Sequence, residues 1–448
     1  AVAGGAVRSH KHLARFDTVS ASLQDPHGTP QEPQRRWPDI GRARRRRGKL
    51  QRTGASVKRP YMSSFLLVIF GAYSAIHAYA FLKARSAFPF SAVTGALIGL
   101  FMACMVFSPV MVRIMERQEY DILARFVSYV GYSWMGMIFL FFSLSLLTDI
   151  FRIVVSGVGI LLHRDMSLLA PGARAAFLAP VFLALGLSLY GYFSALAVRP
   201  EKIVIATPKI PAEIGRLRIV QISDVHVGLI VRKSRLERIS RVIREADPDI
   251  LVSTGDLVDG QLDSIAGLAD ILREVKPRYG KYAVTGNHEF YAGLSHALDF
   301  TYRAGFTVLR GESADIPGVL TITGFDDPTG ARMGIHEGKA EDGLLSGLSR
   351  NAFILVLKHQ PLVDENSHGR FDLQLSGHTH HGQIFPFRFL VQIFYPRTSG
   401  LYDLGLGSSL YVSRGTGTWG PPLRLLSPPE VTVIDLVTAD DAAGPTPP

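Results

Sequence analysis

The segment Ile250-Leu-Val-Ser-Thr-Gly-Asp-Leu-Val-Asp259 combines a short β-branched run with a turn that carries two carboxylates. Ile250–Thr254 predicts a buried strand, because a short apolar run bounded by turn residues is typical of a strand covered on both faces. Gly255 allows a sharp backbone turn, which places Asp256 just beyond the strand. Because a carboxylate has two oxygens, Asp256 could bridge two metal ions.

Four other blocks repeat this arrangement of a predicted strand followed by polar side chains. The pairs are Leu217–Ser223 with Asp224-Val-His226, Lys281–Thr285 with Gly286-Asn-His-Glu289, Phe353–Leu357 with His359, and Leu373–Leu375 with Gly377-His-Thr-His380. In open α/β sheets, sites form beyond the carboxyl ends of strands, where loops from separate strands converge. We therefore expect these side chains to meet at one edge of a sheet.

The polar side chains of these blocks are oxygen or imidazole nitrogen donors, a set that suits divalent Mn, Fe, Zn or Co. The predicted metal ligands are Asp224, His226, Asp256, Asn287, His359, His378 and His380. Two metal ions about 3.5–4 Å apart can hold a phosphoryl group and activate a water molecule at neutral pH. The blocks therefore predict a dinuclear centre that hydrolyses phosphoesters, by attack of a bridging hydroxide.

His288 and Asp259 are predicted to act on the leaving group. A protonated His288 imidazole could donate to the departing alkoxide, and Asp259 could orient that imidazole by a hydrogen bond. Each block alone is a weak signal, since a lone histidine such as His359 is more often a core residue. The prediction depends on their joint occurrence in this order.

The ordered blocks resemble the calcineurin-like metallophosphoesterase superfamily across residues 217–436. The resemblance implies a four-layer α/β/β/α sandwich, with His288 and Asp259 as the acid pair. It implies a first metal at Asp224, His226, Asp256 and His380, and a second at Asp256, Asn287, His359 and His378.

Departures from the family pattern indicate the subclass. Gly260-Gln261 follows Asp259, where phosphoprotein phosphatases carry a phosphate-binding arginine, and purple acid phosphatases have a tyrosine ligand at the position of Asp259. The runs Gly286–Tyr291 and Ser413–Gly417 resemble a membrane-associated bacterial branch that includes UDP-2,3-diacylglucosamine pyrophosphatase-like phosphodiesterases. We expect a phosphodiesterase whose substrate is a lipid-linked or nucleotide phosphodiester or pyrophosphate. The alternatives are a membrane-anchored phosphomonoesterase or protein phosphatase, and a non-catalytic metal-binding sensor domain.

Residues 61–198 contain four long runs with few charges, which are Met62–Leu82, Ser91–Val112, Phe126–Leu147 with a possible extension to Leu162, and one within Arg174–Val198. Each reaches about 20 residues, the length needed to cross a hydrocarbon core of roughly 30 Å. We expect four transmembrane helices. Few ionisable residues lie at their centres, which favours an anchor over a transporter.

The net charge of +10 belongs to residues 1–60, which contain 14 Lys/Arg and 4 Asp/Glu, while the remaining 34 basic and 34 acidic side chains cancel. The balanced remainder does not indicate a nucleic-acid-binding surface, so the expected partners are a small-molecule or lipid-linked phosphoester and membrane lipid. The single Cys104 excludes an internal disulfide and a thiolate zinc site.

The basic arm predicts cytoplasmic termini, with the catalytic domain on the cytoplasmic side of a bacterial cell membrane.

The expected organisation is a basic disordered arm (1–60), a four-helix transmembrane region (61–198), a linker (199–214), the metallophosphoesterase domain (215–438) and a disordered tail (439–448).

One apolar segment, Ile384–Tyr395, has two interpretations. It is either a buried hairpin of a second sheet or a rim of the site that dips into the lipid interface. In the second case, Arg388 and Arg414 are expected to meet a phosphate.

Overall fold

Four long helices precede two six-stranded sheets in the computed structural model, which describes residues 60–260, 266–335 and 338–438. The predicted arm and tail lie outside these residues, except for Pro60 at the start of the first helix. The long helices are α1 (Pro60–Ala87), α2 (Ala92–Arg117), α3 (Asp121–Leu161) and α4 (Ala173–Leu196). By length and composition, all four are able to cross a membrane. The third run therefore continues as one helix to Leu161.

The first sheet has the strand order β1-β12-β2-β3-β4-β5. Its strands are β1 (Arg199–Ala206), β2 (Arg216–Ile222), β3 (Ile250–Ser253), β4 (Lys281–Ala283), β5 (Thr307–Val308) and β12 (Glu430–Val437). Strands β2 to β5 are parallel, and β12 pairs antiparallel with β2. The carboxyl ends of β2, β3 and β4 therefore meet at one edge.

The second sheet has the order β10-β11-β9-β8-β7-β6. Its strands are β6 (Glu312–Ile316), β7 (Leu320–Gly324), β8 (Ile354–Leu357), β9 (Leu373–Ser376), β10 (Gly400–Gly405) and β11 (Ser408–Val412). Strands β7, β8, β9 and β11 are parallel, with an antiparallel strand at each edge. Strands β8 and β9 bring their own carboxyl ends toward the site.

Shorter helices connect the strands, and several of them cover the outer faces of the sheets. They are α5 (Lys233–Ala246), α6 (Ala269–Arg273), α7 (Asn287–Ala292), α8 (Leu294–Arg303), α9 (Pro328–Arg332), α10 (Glu341–Leu345) and α11 (Arg388–Phe394). Alternate residues of β2 point to opposite sides: Ile219 packs between the sheets, and Val220 packs against α5 and α8. The second sheet buries Val356 against α10. The layers are therefore α/β/β/α, as expected.

One segment differs from its predicted form. The linker predicted over 199–214 begins with β1, because Ile203 and Ile205 add apolar side chains to the core between the sheets.

The segment Ile384–Tyr395 is not a hairpin. Its carboxyl half forms α11, which has no buried residue, while Ile384 packs with Leu423 and Leu425 against α3 and α4. The ring of Phe387 lies edge-on to Phe139 of α3, with the centroids 5.9 Å apart. This segment therefore extends the apolar surface of the four long helices.

The long helices contact the sandwich closely at two glycines. A Cβ atom on Gly136 of α3 would lie 2.7 Å from Leu423 Cδ2. The carbonyl of Gly191 in α4 accepts a hydrogen bond from the backbone N–H of Arg424 at 2.9 Å. Such approaches leave no room for a side chain, so the bundle and the sandwich pack directly against each other.

Candidate metal centre

The loops that follow β2, β3, β4, β8 and β9 bring the predicted site residues together. Five of the predicted metal ligands have a positive φ: Asp224 (53°), His226 (54°), Asp256 (50°), His378 (70°) and His380 (47°). For residues other than glycine this conformation costs about 1–2 kcal/mol each. Strain of this kind concentrates at functional sites, where surrounding structure enforces it.

One cluster consists of Asp224, His226 and His380. The Nε2 atoms of the two histidines lie 3.1 Å apart, and Nε2 of His380 lies 3.3 Å from Oδ1 of Asp224. The Asp224 carboxylate accepts hydrogen bonds from the Ser223 hydroxyl and from the backbone N–H of His378. The cluster is buried, so its polar atoms are shielded from solvent.

A second cluster converges on Nε2 of His359. Oδ1 of Asn287, Oδ2 of Asp256 and Nδ1 of His378 each lie 3.1 Å from this atom. Nδ1 of His359 must carry a proton, since it bonds the carbonyl oxygen of Thr254 at 2.9 Å. In the neutral ring Nε2 therefore presents a lone pair toward the cluster.

The tautomer of His378 follows from a chain of hydrogen bonds. The side-chain amide N–H of Gln360 donates to the Asp327 carboxylate at 2.8 Å. The side-chain carbonyl oxygen of Gln360 therefore faces Tyr395 and accepts a hydrogen bond from the Tyr395 hydroxyl at 3.1 Å. The Tyr395 oxygen must then accept the Nε2–H of His378, at 3.0 Å. Nδ1 of His378 is consequently a lone pair that points toward His359.

When both imidazoles are neutral, the second cluster is thus a set of four electron-pair donors that face one another. Burial lowers the pKa of His359, but the Asp256 carboxylate outweighs it and raises that pKa well above its usual range. The pocket therefore favours positive charge at this point. Carboxylate, amide and imidazole donors fit a divalent cation, so the residues present are suited to a metal ion.

Asp256 lies between the two clusters. Its Oδ2 is 3.1 Å from Nε2 of His359 and 3.8 Å from Nε2 of His226, while its Oδ1 accepts the backbone N–H of His288 at 2.8 Å. One carboxylate thus faces both groups, which is the arrangement that a bridging ligand requires.

His288 and Asp259 form a direct pair, with Nδ1 of His288 2.8 Å from Oδ1 of Asp259. Burial lowers the pKa of His288, but Asp256 and Asp259 outweigh it and raise the pKa to about 9. Burial raises the pKa of Asp259, but His288, His226 and Arg113 outweigh it and lower the pKa to about 2. The pair is therefore an imidazolium and a carboxylate at neutral pH.

The structure places all nine predicted site residues in this region. The seven predicted ligands form the two clusters and the bridge, and the predicted acid pair lies next to His226, whose ring centroid is 4.7 Å from that of His288. Their roles as ligands and acid stay a prediction.

Glu289 is a site residue to which the sequence analysis gave no role. Its buried carboxylate accepts the backbone N–H groups of Asp256, Leu257, Val258 and Gly286, at 2.6–3.2 Å. This holds the turn that carries Asp256. The available signal was the position of Glu289, three residues after the helix-capping Gly286, which is typical of a capping box.

Arg424 was also missed, because no local pattern marks it. It is fully buried and donates to the carbonyl oxygens of Gly417, Arg414 and Ser427. Its Nη2 lies 3.2 Å from Nδ1 of His380. Burial lowers the pKa of His380 and Arg424 lowers it further, so His380 stays neutral and able to act as a ligand.

The two arginines expected to meet a phosphate have other surroundings. Arg414 forms ion pairs with Glu201 and Glu430, both at 2.6 Å, so the expectation for this residue is wrong. The guanidinium of Arg388 lies 5.7 Å and 5.3 Å from the ring centroids of Phe385 and Phe389. Aromatic contacts therefore account for its position.

The chain matches the family model described as calcineurin-like phosphoesterase over residues 217–382. An uncharacterized metallophosphoesterase of Aquifex aeolicus is 40% identical over 98% of its length and 57% of this chain. A transmembrane protein with metallophosphoesterase domain from Danio rerio is 34% identical over 68% of its length and 63% of this chain. An uncharacterized metallophosphoesterase of Helicobacter pylori is 33% identical over 72% of its length and 58% of this chain.

The site blocks, from Asp224 to His380, lie within the residues that the family model matches. The resemblance drawn from the sequence is thereby confirmed at the level of the family. The chain belongs to the calcineurin-like metallophosphoesterases, a family of metal-dependent phosphoesterases.

Proposed function

We propose that this protein is a dinuclear metal hydrolase that cleaves a phosphodiester or pyrophosphate bond of a lipid-linked substrate. The observation that supports it most is the convergence of Asn287 Oδ1, Asp256 Oδ2 and His378 Nδ1 on Nε2 of His359, with Asp256 facing both clusters. Buried lone pairs that face one another are costly, so the cluster requires a positive charge, which a proton on His359 or a metal ion supplies.

The residues that would hold the metal ions are divided by the shared carboxylate. Asp224, His226, His380 and Asp256 would bind one ion, and Asp256, Asn287, His359 and His378 would bind the other. When bound, two divalent ions supply an activated water molecule and neutralise charge on the phosphoryl oxygens.

His288 is proposed to protonate the leaving group. Asp259 accepts the Nδ1–H of His288, so the other ring nitrogen is free to donate a proton to the departing oxygen. The rings of Tyr291 and Trp419 lie edge-on to His288, each with its centroid 5.6 Å away.

The lipid-linked substrate is proposed from the surface beside the site. Large apolar side chains of α11 are exposed, among them Ile393 at 72% and Phe394 at 70%. The next residue, Tyr395, bonds His378, so this surface ends at the candidate metal centre. It also continues the surface of the long helices through Phe387. Acyl chains held along α11 would place a phosphate headgroup at the metals.

The four long helices are proposed to anchor the enzyme in a bacterial cell membrane. The basic charge of residues 1–60 then favours the cytoplasm for both termini and for the catalytic domain. A protease-protection assay on intact spheroplasts tests this orientation. Cleavage of the sandwich from outside would contradict it.

The test of the function compares two phosphodiesters with the full chain in detergent. A lipid-linked nucleotide should be hydrolysed with a higher kcat/KM than bis-p-nitrophenyl phosphate, and Asp256→Asn should remove both activities while the melting transition remains. Ile393→Asp should reduce only the activity on the lipid, whereas Leu406→Asp, at a residue 80% exposed in the β10–β11 turn, should change neither.

Each part of the proposal has its own contrary result. Equal, slow turnover of both esters would argue against the lipid substrate while leaving the hydrolase intact. Faster turnover of p-nitrophenyl phosphate than of either diester would favour a phosphomonoesterase. No turnover with any divalent ion would remove the enzymatic assignment.

A further inference from the structure

The end of helix α2 lies against the turn that carries Asp259. Gly260, the next residue, has a φ of +99°, and a Cβ atom there would lie 2.7 Å from Oε1 of Glu116 and 3.8 Å from Nη1 of Arg113. Only glycine meets both the conformational and the steric requirement. A side chain from the apolar bundle therefore packs directly on the backbone beside the acid pair.

Glu116 is poorly hydrated for a carboxylate at the end of an apolar helix. Its side chain is 10% exposed, and among the described residues its ion-pair partner is Arg113, whose Nη1 donates to Oε2 at 3.2 Å. Removing a carboxylate from water costs several kcal/mol unless it is well paired. A second carboxylate, Asp259, lies close by, which adds repulsion.

The end of α2 is fixed with respect to the sandwich by its neighbour, α3. Gly131 of α3 approaches Ser108 of α2 so closely that a Cβ would lie 2.3 Å from the serine oxygen. The hydroxyl of Tyr129, on α3, donates to the carbonyl of Ile230 at 3.3 Å, in the loop that follows the β2 block. The bundle therefore has a defined register against the catalytic loops.

We propose that Glu116, held by Arg113, is a positioning residue that the apolar bundle contributes to the acid pair. By filling the space against Gly260, it holds the turn so that the Asp259 carboxylate stays 2.8 Å from Nδ1 of His288. The inference rests on the proposed function in one respect, because it takes His288 as the proton donor. If Glu116 has this role, protonation of the leaving group depends on the packing of the long helices against the sandwich.

This role predicts a dependence on the leaving group that a general loss of structure does not produce. A p-nitrophenolate departs without protonation, whereas a phenolate gains more from a proton donor. Loosening the Asp259 turn should therefore slow the hydrolysis of methyl phenyl phosphate and leave that of methyl p-nitrophenyl phosphate nearly unchanged. Metal content should not change, since neither Glu116 nor Arg113 is among the predicted ligands.

The experiment uses the full chain in detergent micelles with saturating Mn²⁺ and both esters. Glu116→Ala should reduce kcat for the phenyl ester by about tenfold, a part of the roughly 10²–10⁴-fold that a general acid contributes, with the p-nitrophenyl ester within about twofold of wild type. Glu116→Gln keeps the shape and should lose less. Glu119→Ala and Glu119→Gln, at an exposed carboxylate on the same helix end, are matched controls and should behave as wild type.

A double substitution separates this role from others. If Glu116 acts through the acid pair, Glu116→Ala should have no further effect in a His288→Ala background. Equal losses on both esters, or additive losses with His288→Ala, would overturn the positioning role while the hydrolase assignment stands. If Glu116→Ala does not fold, the Gln variant supplies the same comparison. Failure of the metal-loaded wild type on both esters would overturn the proposed function and this inference with it.

Discussion

The substitution Asp259→Asn tests the acid pair most sharply. In the structure, the Asp259 carboxylate accepts the Nδ1–H of His288 at 2.8 Å, and together with Asp256 it raises the pKa of that imidazole to about 9. Asparagine has nearly the same shape but no charge. The substitution therefore removes one of the two interactions that favour the imidazolium, while burial continues to oppose it.

The size of the effect follows from the geometry. A hydrogen bond to a charged group contributes about 1.5–3 kcal/mol, and one pKa unit corresponds to about 1.4 kcal/mol. The pKa of His288 should therefore fall by about one to two units. Because the protonated form is the active one, activity is lost as the pH rises through this pKa. The alkaline limb of the kcat profile should move to lower pH by the same amount.

The assay is the pH dependence of kcat for a phosphodiester with a poor leaving group, measured on wild type and Asp259→Asn at equal metal loading. Bound cations would lower the pKa of His288 in both proteins. The comparison therefore uses the difference in pH between the alkaline limb of wild type and that of Asp259→Asn. Asp299→Asn, at an exposed carboxylate of α8, should leave the limb in place. An unshifted limb in Asp259→Asn would refute the assignment of His288 as the acid.

Three further predictions concern stability. Chelation with EDTA should remove activity and lower the melting temperature. The reason is that ions that bind only the folded state stabilise it by about 4 kcal/mol when their concentration is a thousandfold above Kd. An unchanged melting temperature would contradict metal binding. Glu289→Gln should lower the free energy of unfolding by about 2–4 kcal/mol, because the glutamine amide would place a donor against backbone N–H groups. A stable variant with unchanged metal content would show that the turn does not need this carboxylate. Arg424→Met should cost about 3 kcal/mol or more, because it leaves buried carbonyl oxygens unpaired; denaturant unfolding of the matched Arg238→Met variant, on the surface of α5, should show little change.

The sandwich was predictable because its strands follow a simple physical rule. The runs at Ile250 and Leu217 are apolar on both faces, as expected of strands covered by a helix layer on one side and a second sheet on the other. Each ends in polar residues that cannot be buried without partners. These polar ends therefore mark the common edge of the sheets, and the seven predicted ligands come from it.

The elements that sequence reasoning missed depend on partners far away in the chain. Ile203 and Ile205 lie on one face of β1, with the exposed Val204 between them, but β1 forms only because β12, more than 200 residues later, offers a parallel partner. The aromatic run around Phe389 favours a strand by propensity, yet it lies against the long helices and forms α11. Likewise, Glu289 gains its role from backbone N–H groups of another loop. Tertiary context decides each case.

The most direct test of the central claim is the metal content of the purified full chain, measured by inductively coupled plasma mass spectrometry after loading and desalting. We predict two divalent ions per chain, falling to one or fewer in His359→Ala and in His226→Ala. A chain that retains no metal, or variants that retain the wild-type content, would contradict the assignment of a dinuclear centre.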